Sequence, residues 1–103
     1  KGNRVEGFTP GVFVKNFPGI AYFDSLGVQA DGGVCCATIL AGGITTFWPG
    51  SKKVRHTPIP DPLVTNICWG GKNMKTAYIT SSGTGRLLAA DWPSAGLRLN
   101  YNA

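Results

Sequence analysis

The chain has 103 residues, including 15 Gly and 7 Pro, and a formal net charge of +5. This content of Gly and Pro argues against a helical bundle, because both residues favour turns and weaken helix interiors. Hydrophobic residues make up 43% and charged residues 15%, which excludes a disordered chain. No apolar run reaches the roughly 18 residues of a membrane-spanning helix. The composition therefore predicts a turn-rich, globular, all-β protein.

Short apolar and β-branched segments recur along the chain, and each ends close to Gly, Pro, Asp or Asn. Such segments are typical of strands, and the Gly-rich connections between them have the length and chemistry of antiparallel hairpin turns. We predict eight strands, at residues 11–15, 25–29, 34–39, 44–48, 54–57, 64–68, 76–80 and 86–90.

This strand pattern occurs twice, with a period of about 40 residues. When the two copies are superposed, Trp48-Pro49 falls on Trp92-Pro93. Units of about 40 to 45 residues with four strands are typical of β-propeller blades, whereas a β-sandwich with similar hairpins is the alternative. We therefore divide the chain into two blade-like repeats, at about residues 23–62 and 63–103.

The three cysteines, Cys35, Cys36 and Cys68, lack the spacing of a metal site. Neighbouring residues of a strand point to opposite faces, so Cys35 and Cys36 do not converge on one ion. A vicinal disulfide is the alternative to reduced core thiols, which we expect and which favour a cytoplasmic location. The basic segment 51–55 is typical of a solvated turn, and we predict neither nucleic-acid nor membrane binding.

Several motifs occur together in a combination that is specific, above all an Asp-Ser-Leu turn with a Thr-Asn-X-X-Trp-Gly-Gly segment. Their positions are Phe23–Gly32, Ala37-Thr38, Gly42–Thr45, Pro60–Pro62, Thr65–Gly71 and Thr76–Thr80. This set resembles the C-terminal part of the SMP-30/gluconolactonase/luciferin-regenerating-enzyme family. Members are six-bladed β-propellers that bind a divalent metal and hydrolyse lactones. The resemblance implies that residues 1–103 are the C-terminal portion of one propeller domain, about two blades with flanking strands.

The resemblance also implies a catalytic and metal-binding position. In the family an Asp, in an Asp-Gly or Asp-Ser pair that opens a blade's first strand, ligates the metal at the central channel. Asp24 occupies that position, where it would also take a proton during water attack, and Ser25 would add a ligand oxygen. The expected metal is Ca²⁺, with Zn²⁺, Mn²⁺ and Mg²⁺ as alternatives. From residue type alone, Asp24 is instead a turn or strand-start cap.

Five further residues stand out by type. Asn66 either faces the same channel or hydrogen-bonds a neighbouring loop. His56 is the only histidine, and we place it at a surface or edge position. Trp48, Trp69 and Trp92 are predicted to pack between blades.

We therefore expect a metal-dependent hydrolase that opens a small-molecule lactone, to which this chain contributes the last blades and Asp24. A non-catalytic propeller scaffold, or an inactive fragment, is the alternative, because a fold does not fix function. Residue 1 is Lys rather than Met, so we expect the remaining blades from preceding sequence or from other chains. The 103 residues alone are expected to be inactive, because the family's other metal ligands lie elsewhere.

Overall fold

A computed structural model describes residue 19 and residues 21–100. The strand predicted at 11–15 lies outside the described residues. A helix with the length and apolarity to cross a membrane is absent from the described part. The elements there are seven strands: β1 (Tyr22–Val28), β2 (Val34–Ile39), β3 (Gly43–Phe47), β4 (Val54–Pro58), β5 (Val64–Gly70), β6 (Thr76–Ser81) and β7 (Arg86–Asp91).

These strands form two sheets in which each strand pairs with the next along the chain. The first sheet has the order β1-β2-β3-β4 and the second has the order β5-β6-β7. Every pairing is antiparallel, which confirms the prediction of an all-β, antiparallel architecture. The described residues do not close into a ring.

The boundaries of the predicted strands agree with the observed ones to within a few residues, with one clear difference. The strand predicted at 25–29 begins earlier, at Tyr22, and ends at Val28. The alternation of apolar and polar residues does not predict the first residues of this strand. The reason is that the register shifts between Phe23 and Leu26, which interrupts the alternation of inward and outward side chains.

The core lies between the two sheets, where β5 packs against β1 and β2. Burial of a whole Ile or Val side chain stabilises a fold by about 1.5–3 kcal/mol, so this cluster holds the sheets together. Its fully or almost fully buried members are Cys35, Ala37 and Ile44 of the first sheet with Val64, Ile67, Ala77, Ile79 and Trp92 from the second half of the chain.

A buried polar residue, Gln29, links the two halves. Its Oε1 accepts a hydrogen bond of 2.8 Å from Trp92 Nε1 and one of 3.3 Å from Cys35 Sγ. Its Nε2 donates to Asp31 Oδ1 at 2.9 Å. Burial raises the pKa of the Cys35 thiol to about 11, so the thiol stays protonated and acts as a donor. Gln29 thus joins Trp92 and Cys35 inside the core to Asp31 in the turn between β1 and β2.

The tryptophans divide into two environments. Trp69 and Trp92 pack edge to face with their ring centroids 6.5 Å apart, and Trp69 packs against the core between the sheets, to which Trp92 belongs. Trp48 is half buried at the end of the first sheet, and its packing between blades stays a prediction. Its Nε1 donates to Asp31 Oδ2 at 3.1 Å, and Lys53 Nζ lies 4.3 Å from the centre of its ring.

The cysteines and the histidine follow the predictions with one correction. All three cysteines are free, and Cys35 and Cys36 are buried. Cys68 is exposed rather than in the core, because it pairs across the sheet with the exposed Tyr78 on the face turned away from the first sheet. His56 lies on the edge strand β4, as expected, and is half buried.

Gly27 gives the first test of this packing. A Cβ at Gly27 would lie 2.7 Å from Trp69 Cζ3 and 3.2 Å from the Ile67 carbonyl oxygen. We expect Gly27→Ala to lower the free energy of unfolding by about 1–3 kcal/mol, because the indole must leave its place between the sheets. Urea denaturation followed by circular dichroism measures this loss.

Gly70→Ala is the matched control. It also replaces a strand glycine, but the new Cβ meets only the ring of exposed Tyr78, at 3.1 Å, and that ring can move aside. The midpoint of urea denaturation should change much less in Gly70→Ala than in Gly27→Ala. Equal losses in the two variants would contradict close packing of Trp69 against Gly27.

Candidate functional site

The residues predicted to bind metal lie near the start of β1. Asp24 is exposed and Ser25 is half buried. Both occupy the register shift, because Phe23 pairs with Thr38 and Leu26 already pairs with Cys36. A bulge of this kind re-aims the side chains it contains, and bulges are frequent beside active sites. The structure therefore gives Asp24 a distorted, water-accessible backbone position.

The second sheet has the same irregularity at the start of its first strand. The register of β5 shifts between Val64 and Asn66, which leaves Thr65 in the bulge. Thr65 Oγ1 lies 2.8 Å from both Thr80 Oγ1 and Ser82 Oγ. Asn66 is exposed, and its Oδ1 accepts the backbone N–H of Ile67 at 2.8 Å. Both sheets thus place polar residues at one bulge near the start of the first strand.

Asp24 and Ser25 offer a carboxylate and a hydroxyl as possible metal ligands. A carboxylate and a hydroxyl are the oxygen donors that Ca²⁺ prefers, but Ca²⁺ takes about six to eight of them. Within the described residues, three or more His, Cys, Asp or Glu side chains nowhere gather into a possible metal site. Asp24 and Ser25 therefore fit a calcium shell in kind and would supply part of it.

Two other carboxylates are occupied by hydrogen bonds within the fold. Asp31 accepts bonds from Gln29, the backbone N–H of Gly33 and Trp48, and these bonds lower its pKa. Such a carboxylate organises the turn that joins β1 to β2. It is therefore a structural group and not a further candidate for the metal site.

Asp61 is more deeply buried than Asp31 and accepts more hydrogen bonds. In the sequence it stands out only as the centre of a Pro-Asp-Pro motif. It is 3% exposed and accepts hydrogen bonds from Leu63 N–H, Ser81 Oγ, Thr84 N–H and Thr84 Oγ1, at 2.7–2.9 Å. These bonds, led by the one from Leu63, lower the pKa of Asp61 to about 2. Asp61 thereby ties the connection between the two sheets to the turn between β6 and β7.

A cleft of about 500 Å³ lies beside the first strands of both sheets. Its lining on β1 starts at Leu26, two residues after Asp24, and the described residues contribute no charged side chain to it. Such a volume lies in the range of small-molecule pockets. Its lining residues are Leu26, Gly27, Val28, Ile67, Cys68, Trp69, Met74, Leu97 and Leu99.

A protein-family model matches the chain over most of its length. The model described as SMP-30/Gluconolactonase/LRE-like region matches residues 3–83, which include Asp24, Ser25 and both bulged strands. A comparison with curated protein sequences found no significant match.

Proposed function

Because the chain belongs to the SMP-30/gluconolactonase/LRE-like family, we propose that it is part of a metal-dependent hydrolase that opens a lactone. The family match over residues 3–83 is the observation that carries this proposal. It is supported by the position of Asp24, which lies exposed in the bulge at the start of β1.

The two sheets are proposed to be successive blades of a six-bladed propeller, with the repeats at about 23–62 and 63–103. Each blade of a propeller packs its faces against its neighbours. The face of the second sheet turned away from the first exposes Tyr78 and Leu87, which are 37% and 70% accessible. A further blade, from the rest of a longer chain or from another chain, would cover these side chains.

Lactone opening adds water to the ring carbonyl carbon and breaks the bond from that carbon to the ring oxygen, which leaves a hydroxy acid. A divalent ion, Ca²⁺ foremost, would polarise the carbonyl when bound. In the proposed site the Asp24 carboxylate and the Ser25 hydroxyl hold this ion. Asp24 also accepts a proton from the attacking water, for which an exposed carboxylate has direct access.

The proposal is tested with Asp24→Asn in the complete protein. This substitution keeps the size of the side chain and removes its charge and basicity. We expect lactone hydrolysis, followed by pH-stat titration on a lactone panel, to fall about 100-fold or more. Calorimetric titration should show weaker Ca²⁺ binding as well.

Asp91→Asn is the matched control, since Asp91 is also an exposed strand carboxylate but ends β7. It should leave both hydrolysis and metal binding unchanged. Unchanged Ca²⁺ affinity and turnover in Asp24→Asn would refute the assignment. A folded protein that opens no lactone on the panel and binds no metal would favour the scaffold function instead.

A further inference from the structure

The cleft beside β1 and β5 has a wall that is fixed by backbone hydrogen bonds. The segment after β7 returns to β1, where Leu97 N–H donates to the Val28 carbonyl and Ala30 N–H donates to the Ala95 carbonyl, both at 2.8 Å. Gly96 N–H donates to the Met74 carbonyl, also at 2.8 Å. Leu97 and Leu99 of this segment therefore stand beside the cleft in a defined place.

The lining is apolar, and much of it is accessible. Leu26, Leu97 and Leu99 are 56%, 47% and 64% exposed, so three large hydrocarbon side chains meet solvent around one cleft. The indole of Trp69 adds to this apolar lining. The cleft therefore offers hydrocarbon walls to a ligand.

We infer that this cleft binds the hydrocarbon chain of the substrate, so that the substrate class is a lactone with an apolar tail rather than a sugar lactone. The inference rests on the proposed function, because it places the reacting ring at Asp24. Residues advance about 3.3 Å along a strand, so Val28 lies about 13 Å beyond Asp24. A tail that extends from the ring at Asp24 would therefore run along β1 and enter the cleft at Leu26.

The first experiment measures binding of γ-lactones that carry butyl, hexyl or octyl chains, with gluconolactone for comparison. Calorimetry with the complete protein in the absence of added metal separates binding from hydrolysis. Each added methylene buried in the cleft should tighten binding about fourfold. Gluconolactone should show no binding to the cleft. Equal affinity across the series would overturn the inference.

Leu26→Asn is the variant that tests the lining. We expect it to weaken octyl-lactone binding about tenfold, because a polar amide replaces an apolar wall. Leu99→Asn, in the segment after β7, should also weaken binding, which would show that the loss in Leu26→Asn is not a local effect on β1. Leu40→Asn is the control, since Leu40 is an exposed leucine in the turn between β2 and β3 that does not line the cleft, and its positive φ of 77° suits Asn.

The outcomes separate the cleft from the catalytic proposal. Tight, chain-length-dependent binding without hydrolysis in the presence of Ca²⁺ supports the cleft and contradicts the lactonase. Hydrolysis that is indifferent to chain length and to Leu26→Asn supports the lactonase and contradicts the cleft.

Discussion

Replacement of Trp92 by alanine is expected to lower the free energy of unfolding by about 3–5 kcal/mol. The side chain is 5% exposed and belongs to the core between the sheets. Its loss would leave a cavity and would also remove the hydrogen bond from Nε1 to Gln29 Oε1. Since small domains are stable by only about 5–15 kcal/mol, this is a large share of the total. Urea denaturation followed by far-UV circular dichroism measures the change.

Trp48→Ala is a closely matched control. Trp48 precedes proline and follows the third strand of its sheet, as Trp92 does. Its ring, however, lies at the end of the sheet under Lys53 and is half buried. We expect a loss below about 1 kcal/mol, because surface substitutions usually have small effects. Similar losses in the two variants would contradict the different roles of these tryptophans.

The strands were predictable because their signals are local. The bounds of β2 agree with the prediction, since an apolar run stands between two Gly-Gly turns. The Trp-Pro repeat also marks the same place in each sheet. A hairpin needs only neighbouring residues with suitable turn chemistry, so both the antiparallel order and the number of strands in this region follow from the sequence.

The environments of individual side chains depend on contacts that no local pattern encodes. Trp92 is buried because the chain after β7 returns to β1, where Gln29 and Gly96 form a bridge. Trp48 is also followed by Pro, but within residues 21–100 no segment covers it to the same extent. Gln29 is distant from Trp92 in the chain, so its role between the sheets is likewise set by tertiary structure.

The candidate site was predictable only through the family resemblance. An Asp-Ser pair between apolar residues is common in turns, and residue type alone favoured a cap for Asp24. The bulge that holds Asp24 depends on how β1 pairs with β2, which the pattern of apolar residues did not indicate. The cleft was not foreseen either, because Leu26 and Leu99 become neighbours only when the last segment folds back.

Asp61→Asn is the second substitution for which we expect a large effect. An amide has the same size, but its oxygen is a weaker acceptor than a carboxylate, and its NH₂ group would face the donors Ser81 and Thr84. The connection between the sheets would then lose its attachment to the turn after β6. We expect the melting temperature at neutral pH to fall by several degrees or more, and differential scanning calorimetry measures it. Asp91→Asn, on an exposed carboxylate, should change it little.

The same carboxylate predicts how stability depends on pH. Its pKa is about 2 in the folded protein against an ordinary value of 3.8, so the unfolded chain binds the proton more readily. The contribution of Asp61 is therefore fully present above about pH 4 and is lost as the pH falls towards 2. Asp61→Asn removes this contribution, so its deficit relative to the wild type should be largest at neutral pH and shrink across that window. Asp31, whose pKa is also lowered, is present in both proteins and does not affect the difference. A deficit that stays constant from pH 6 to pH 2 would show that the charge of Asp61 does not stabilise the fold.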